Sequence, residues 1–365
     1  MNHPLDLTVR DIRLRQWEIL QAALPVEPHD SHNTRMSAAM TRGLAIVHDM
    51  SATQPHLRDL MIQIMTLAER DPRLAFLQAI PNGPILAMMR ATTLERAAFG
   101  TETNEVAEMA LLIGLFTVLL DGLLDEAPEL LAPARSWLDR LMTLERPPGD
   151  IPSGLHPVTE VLAWAGAESV GRLSSLDGWQ DPVVREEFTR ATLAAYQTEL
   201  TSLTCRITDT RVSQREQRTR IVAKSSACIW AGALIPTVIH GWPADIDPRA
   251  FETLARAIGE FGGWVDDIVD LADDLRADRW SMPLLEIHAI ISLLDTRLSD
   301  GLDPRPELAN ALQHPFIAGK LPALGVNRLD RVRDALARIR IPEDSILPVL
   351  GDVAWACLLD DLVPA

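Results

Sequence analysis

Apolar residues recur three and four positions apart along almost the whole chain, as in RDLMIQIMTLAERD (58 to 71) and FETLARAIGEFGGWVDDIVDLADDL (251 to 275). Alternating runs of β-branched residues are nearly absent, so the pattern predicts an all-α protein. Breaks rich in proline and glycine at 81 to 84, 146 to 157, 177 to 182, 241 to 248 and 301 to 307 divide it into about ten helices. None of these breaks is long or polar enough for an interdomain linker, and no repeat or low-complexity segment is present, so one domain over residues 1–365 is expected. The polar stretch Leu24 to Thr34 offers little to bury, which predicts a loosely attached N-terminal arm over residues 1–35.

Composition narrows the function classes. With 365 residues, 47% of them hydrophobic, the chain can bury a large core. A net charge of -17 repels nucleic acid and anionic lipid, so neither is an expected partner. Cys205, Cys228 and Cys357 are odd in number and far apart, which offers neither a disulfide framework nor a CxxC zinc signature. The N-terminus has no signal-peptide run, and no stretch reaches the roughly 18 uninterrupted apolar residues of an integral membrane segment. A cytoplasmic location is the expectation. There is no GxGxxG, no Walker GxxxxGK and no Glu-x-x-His pair for a di-iron bundle.

Carboxylates carry the chemistry. In GGWVDDIVDLADDL, Phe261, Val265, Ile268, Ala272 and Leu275 form one apolar stripe, while Asp266, Asp270 and Asp274 fall at i, i+4 and i+8 on another face, with Asp267 and Asp273 beside them. Like charges four apart destabilise a helix by about 0.2 to 0.5 kcal/mol per pair. A hard divalent cation with oxygen ligands would offset that repulsion; a solvated acidic face is the alternative. A second pair, Asp121 and Asp125, ends the apolar run MALLIGLFTVLLDGLLDEAPELL, where the ten residues before Asp121 are uncharged. A carboxylate in such a setting asks for a metal, a cationic partner or an open cavity mouth. The chain has only two lysines, Lys224 and Lys320, among its 34 basic residues, and Lys224 lies on a predicted helix, where it can serve a phosphate as a compact point charge.

This arrangement resembles the class I isoprenoid synthases, the superfamily of trans-prenyltransferases and class I terpene cyclases, over residues 105 to 285. The family's DDxxD, Lys-Thr and DDxxDxxxD are matched here by DGLLD (121 to 125), Lys224-Ser225 and DDIVDLADD (266 to 274), with Asp266, Asp267, Asp270 and Asp274 on all four acidic positions. The resemblance implies an antiparallel helical bundle around a central apolar cavity. It also implies three magnesium ions held by the two motifs (Asp121, Asp125, Asp266, Asp267, Asp270, Asp274) on a prenyl diphosphate, with Lys224 on the diphosphate oxygens. Catalytic roles fall to Asp121, Asp125, Asp266, Asp270 and Lys224. Metal and lysine would stabilise the leaving group as the allylic C–O bond ionises. Homodimer formation is left open.

The departures point further. Gly122 replaces the middle acid of the first motif. The Arg-Arg-Gly and Gly-Lys-Arg of a pocket for isopentenyl diphosphate are missing, EAPELLAPARS following Asp125 and only Arg42-Gly43 standing near the N-terminus. Gly262-Gly263 stands where Phe-Gln is usual. One diphosphate site without a second basic pocket favours a terpene synthase, a cyclase releasing diphosphate; the alternatives are an elongating trans-prenyltransferase and a non-catalytic helical subunit of one. The Asn/Ser/Glu metal motif of common bacterial terpene cyclases is also missing, which favours the prenyltransferase-like, large-terpene type. Thr117, Gly114, Ala110 and Ala107 behind Asp121, and Gly262, Gly263, Gly259 and Ala255 behind Asp266, form small-residue stripes. Read as a channel, they predict a tail of geranylgeranyl length or longer; close helix packing is the alternative. Core packing is the first explanation for Trp230, Trp264 and Trp280; as candidates for cation stabilisation, Trp264 stands foremost. Arg276 and Arg279 are candidates for the diphosphate, with salt bridges to neighbouring acids as the alternative. Tyr196 is a core residue or a pocket wall.

Overall fold

The computed structural model describes residues 4–24, 29–53, 55–79, 82–144, 149–209, 211–294, 303–359 and 362. The helices, in chain order, are α1 (Pro4–Ala23), α2 (His29–Thr53), α3 (Pro55–Ala68), α4 (Asn82–Phe99), α5 (Asn104–Glu126), α6 (Pro128–Leu131), α7 (Arg135–Leu141), α8 (Pro157–Leu173), α9 (Pro182–Ser202), α10 (Gln214–Ala233), α11 (Ile235–His240), α12 (Pro248–Val269), α13 (Leu271–Arg276), α14 (Met282–Leu294), α15 (Arg305–Leu312), α16 (Pro315–Ile339) and α17 (Glu343–Leu359). The fold is all-α, as the periodicity requires; among the described residues its β structure is one isolated bridge, Arg206 to Arg279. The chain divides into two compact units, one of Met1–Pro28, Gln197–Ile229 and Asp247–Ala365, the other of His29–Tyr196 and Trp230–Ile246.

The first unit is built on α12. Asp247 caps it by accepting from the backbone N–H of Arg249 and Ala250, and Pro248 at the first helical position needs no hydrogen-bond partner. Its apolar stripe, from Phe251 through Ile258, Phe261 and Val265 to Ile268, is buried against α1, α16 and α17. Deep among them Gln16 is fully buried and satisfied: its amide donates to Pro322 O at 3.3 Å and its carbonyl accepts from Trp264 Nε1 at 3.1 Å.

Part of the expected arm is a packed helix. α1 buries Leu5, Val9, Ile12, Trp17 and Leu20, and Arg13 Nε donates to Leu358 O at 3.0 Å, a cation on the last carbonyls of α17. The polar stretch that suggested an arm, Leu24 to Thr34, begins where this helix ends. Residues 1–3 and 25–28 of the arm lie outside the described residues, and 29–35 begin α2.

The second unit centres on α5, whose two-sided apolarity is used up by α4, α8 and the 3-10 segment Pro72–Ala79. Glu95, fully buried at the end of α4, accepts from Thr103 N, from Thr103 Oγ1 at 2.8 Å and from His240 Nε2 at 2.7 Å, which pins the start of α5. By length and composition Asn104–Glu126 and Gln214–His240 would suffice to cross a membrane, yet 61% of each apolar window is buried inside the protein, as core helices are.

Glycines decide how closely helices approach. A Cβ on Gly259 of α12 would lie 2.6 Å from Ser226 Cα and 2.7 Å from Ser225 O of α10, whereas one on Gly262 would meet nothing within 4 Å. Gly262→Ala should therefore stabilise the protein by about 0.5–1 kcal/mol through helix propensity, and Gly259→Ala should destabilise it, because overpacking of about 1–3 kcal/mol outweighs that gain. Urea unfolding of both variants measures this; shifts of the same sign would refute the close α10–α12 approach.

Candidate active site

The second acidic motif occupies the end of α12 and the start of α13. Asp270 stands at the junction with φ -86 and ψ 2, a bend in the helix, but the hydrogen bonds Asp270 N to Asp266 O and Asp274 N to Asp270 O carry the register through it. The ladder foreseen at i, i+4 and i+8 is thus kept with a kink. Asp266 and Asp270 are exposed, while Asp267 and Asp274 turn inward. Burial raises the Asp274 carboxyl to about 7 against the pull of Arg279, with Asp270 and Asp266 adding to the rise and Lys224 opposing it. Burial also lifts Asp267 well above the usual carboxylate range, helped by Asp274.

Lys224 is brought to this motif by packing. Gly259 and Gly263 let α10 lie on α12: a Cβ on Gly263 would come within 2.3 Å of Ser225 Oγ. Ser225 follows Lys224, and the ammonium lies close enough to act on both Asp267 and Asp274. Lys224 also pairs with Glu199 of α9, Nζ to Oε2 at 3.1 Å.

Several expected site residues have other work. Asp267 accepts from Met282 N at 2.7 Å, so one oxygen of its carboxylate caps the start of α14. Arg276 bonds Asp273 at 2.8 Å and Asp6 of α1, and Arg279 pairs with Asp274 at 3.3 Å; both arginines are held by acids, the alternative named for them. Trp264 is 0% exposed, with the Arg328 guanidinium 3.9 Å over its ring, so its π-face is already occupied by a cation. Trp230 lies under Arg190 at 4.5 Å, and Trp280 is buried edge-on to His288 at 5.5 Å. Tyr196 is a core residue whose hydroxyl donates to Asp139 at 2.7 Å.

The first motif closes α5, with Asp121 and Asp125 half-buried one turn apart and Leu123 and Leu124 in the core. The glycine between them has a steric cause. A Cβ on Gly122 would fall 2.1–2.6 Å from the ring of Phe76, on the 3-10 segment that Arg73 ties to Glu129 at 2.6 Å. Phe76 and Glu199 were missed by sequence reading. Gly122 itself was the signal for the first; an acid in the apolar run AAYQTELTSL was the only signal for the second.

The small-residue stripes are packing surfaces at the positions that carried the channel reading. A Cβ on Gly114 would be 2.9 Å from both Ala87 Cβ and Pro84 Cα of α4, and Gly263 makes room for Ser225. Thr117 donates its hydroxyl to Ile113 O at 2.8 Å within its own helix. Close helix packing, the alternative, accounts for Gly114, Gly259 and Gly263.

Among the described residues no group of three or more His, Cys, Asp or Glu is arranged to hold a metal ion unaided. The donor set, oxygen throughout, is chemically suited to a hard cation.

No protein-family model matches the sequence, and no curated protein does. Solved structures do match in fold. A decaprenyl diphosphate synthase from Rhodobacter capsulatus superposes with a TM-score of 0.51 at 16% identity, over 92% of this chain and 100% of that one. A T. brucei farnesyl diphosphate synthase complexed with bisphosphonate gives 0.52 at 12% identity, over 88% and 99%. The likeness is one of fold, the all-α architecture of prenyl diphosphate synthases.

If Phe76 is what excludes a side chain between Asp121 and Asp125, Gly122→Asp should cost about 1–3 kcal/mol of stability, and the same change should cost less on a Phe76→Ala background. Urea midpoints of the four proteins give the coupling. Equal costs on the two backgrounds would show that the ring does not close this position.

Proposed function

We propose that this chain is a magnesium-dependent class I isoprenoid synthase that ionises a prenyl diphosphate. The observation that carries the reading is the juxtaposition, within one unit, of Lys224 with an acidic ladder whose members Asp266 and Asp270 are exposed, α10 lying on α12 at Gly259 and Gly263. Asp266 and Asp270, and Asp121 and Asp125 on α5, are the acids assigned to magnesium. The bound ions supply Lewis-acid stabilisation of the departing diphosphate. Lys224 donates hydrogen bonds to its oxygens as negative charge develops. Asp267 and Asp274 hold the motif in place, the first through α14 and the second through Arg279.

Two fates of the allylic cation are open to such a site. The solved neighbours, both named as prenyl diphosphate synthases, support elongation better than cyclisation. Cyclisation of a single substrate is supported by the basic groups: Arg42, the N-terminal candidate for a second diphosphate, bonds Glu102, Thr103 O at 3.3 Å and Asn104 Oδ1 at 3.2 Å, and Arg135 after the first motif pairs with Asp139.

Incubation of the purified protein and magnesium with geranyl, farnesyl, geranylgeranyl and geranylfarnesyl diphosphates, with and without isopentenyl diphosphate, separates the fates. Diphosphate release that requires isopentenyl diphosphate and yields longer chains identifies elongation; release without it, with cyclic products, identifies the cyclase. Asp121→Ala and Asp266→Ala should each lower turnover by at least about a hundredfold. Full turnover in both would overturn the metal assignment, and no turnover with any substrate would leave the non-catalytic subunit as the reading.

A further inference from the structure

The chain holds Lys224 with a partner that the acidic motifs do not account for. Glu199, on the last turn of α9, is only 5% exposed, and both of its oxygens are engaged: Oε2 with Lys224 Nζ at 3.1 Å and Oε1 with Cys228 Sγ at 3.4 Å, where the thiol donates. Cys228 is one turn beyond Lys224 on α10, so a single helix face grips the carboxylate from two points. A carboxylate this deep is sustained only by a compensating charge and hydrogen bonds. The ammonium, in turn, is fixed in place before any ligand arrives.

We propose that Glu199 is the positioning residue of Lys224, a buried counter-ion that shares the ammonium with the substrate diphosphate and sets how tightly the diphosphate is held. The proposal rests on the assignment of Lys224 to the diphosphate. The choice of lysine supports it. In a chain that uses arginine almost throughout, a guanidinium here would dock on Glu199 as a fork, with its donors fixed in one plane. An ammonium has three donors on one rotating centre, so one can remain on Glu199 while others turn to a phosphate oxygen. The same arrangement keeps one negative charge beside the bound polyanion. Glu199 thereby limits the affinity for the released diphosphate while holding the lysine in register.

Calorimetric binding of magnesium pyrophosphate to the full chain tests this. Glu199→Gln keeps the shape of the side chain, removes its charge and leaves one acceptor oxygen in place of two, and should bind magnesium pyrophosphate about tenfold more tightly. On a Lys224→Gln background, where a buried Glu199 has lost its counter-ion and takes up a proton, the same substitution should change the affinity less than twofold. Should that single variant fail to fold, Lys224→Gln/Glu199→Gln, which buries no charge at the pair, is compared with Glu199→Gln and should lose at least tenfold in affinity. Unchanged or weaker binding by Glu199→Gln, or an equal effect on both backgrounds, overturns the positioning role. Failure of the unsubstituted protein to bind magnesium pyrophosphate is a different result: it removes the diphosphate assignment itself and the proposal with it.

Discussion

The close approach of α10 to α12 is the constraint on which the second acidic motif depends. It exists because Gly259 and Gly263 present no Cβ where Ser225 and Ser226 lie. Were either helix displaced by the width of a methyl group, Lys224 would move away from Asp267 and Asp274, and each carboxyl would lose one influence that opposes its burial, beside the Met282 amide on Asp267 and Arg279 on Asp274. The same approach leaves Lys224 within reach of Glu199, so a pair of glycines sets the charge balance of three acids. Packing density and electrostatics are one design here: interiors do not yield by fractions of a methyl group, and charges so close are sensitive to small shifts.

Within the motif, neighbouring aspartates do different jobs because a helix turns each by about 100° from the last. Asp266 and Asp270 share the outward face. Asp267 points toward the loop before α14 and satisfies the amide of Met282, a helix terminus that would otherwise leave a donor orphaned. Asp274 is held by Arg279, whose own backbone N–H returns to Asp274 O at 2.8 Å. A run that reads as five equivalent charges is a set of three outward carboxylates, one of them, Asp273, paired with Arg276, and two that bind the surrounding scaffold.

Much of the fold could be read from the sequence because helix periodicity and proline or glycine breaks are local signals. The Asp266 to Asp274 register was readable for the same reason, and so was the place of Lys224 on a helix. What could not be read depends on which neighbour a side chain meets. The glycines of α5 and α12 are small on one face in either reading; only the presence of Pro84, Ala87 and Ser225 against them shows that they admit helices. Trp264 sits two residues before Asp266, but its ring points to Gln16 and Arg328, residues distant in sequence. The N-terminal helix was missed because the reading weighted the polar stretch after it and not the buried stripe from Leu5 to Leu20.

The first motif is thinner than the second for a physical reason, and the reason bears on how charge is distributed over the protein's two acidic sites. Phe76 fills the space above Gly122, so no side chain stands between Asp121 and Asp125 at the middle position of the motif. An acid at that position would add a like charge within one turn of both Asp121 and Asp125, at a cost the ring spares. Magnesium does not need the third ligand, since water and phosphate oxygens complete its shell. The arginines that could serve a second anion are meanwhile neutralised, Arg42 by Glu102 and Arg135 by Asp139. Lys224 beside the second motif is likewise held in common with Glu199, so on the proposed function its hold on a diphosphate would be set by a balance within the protein and not by an excess of positive charge.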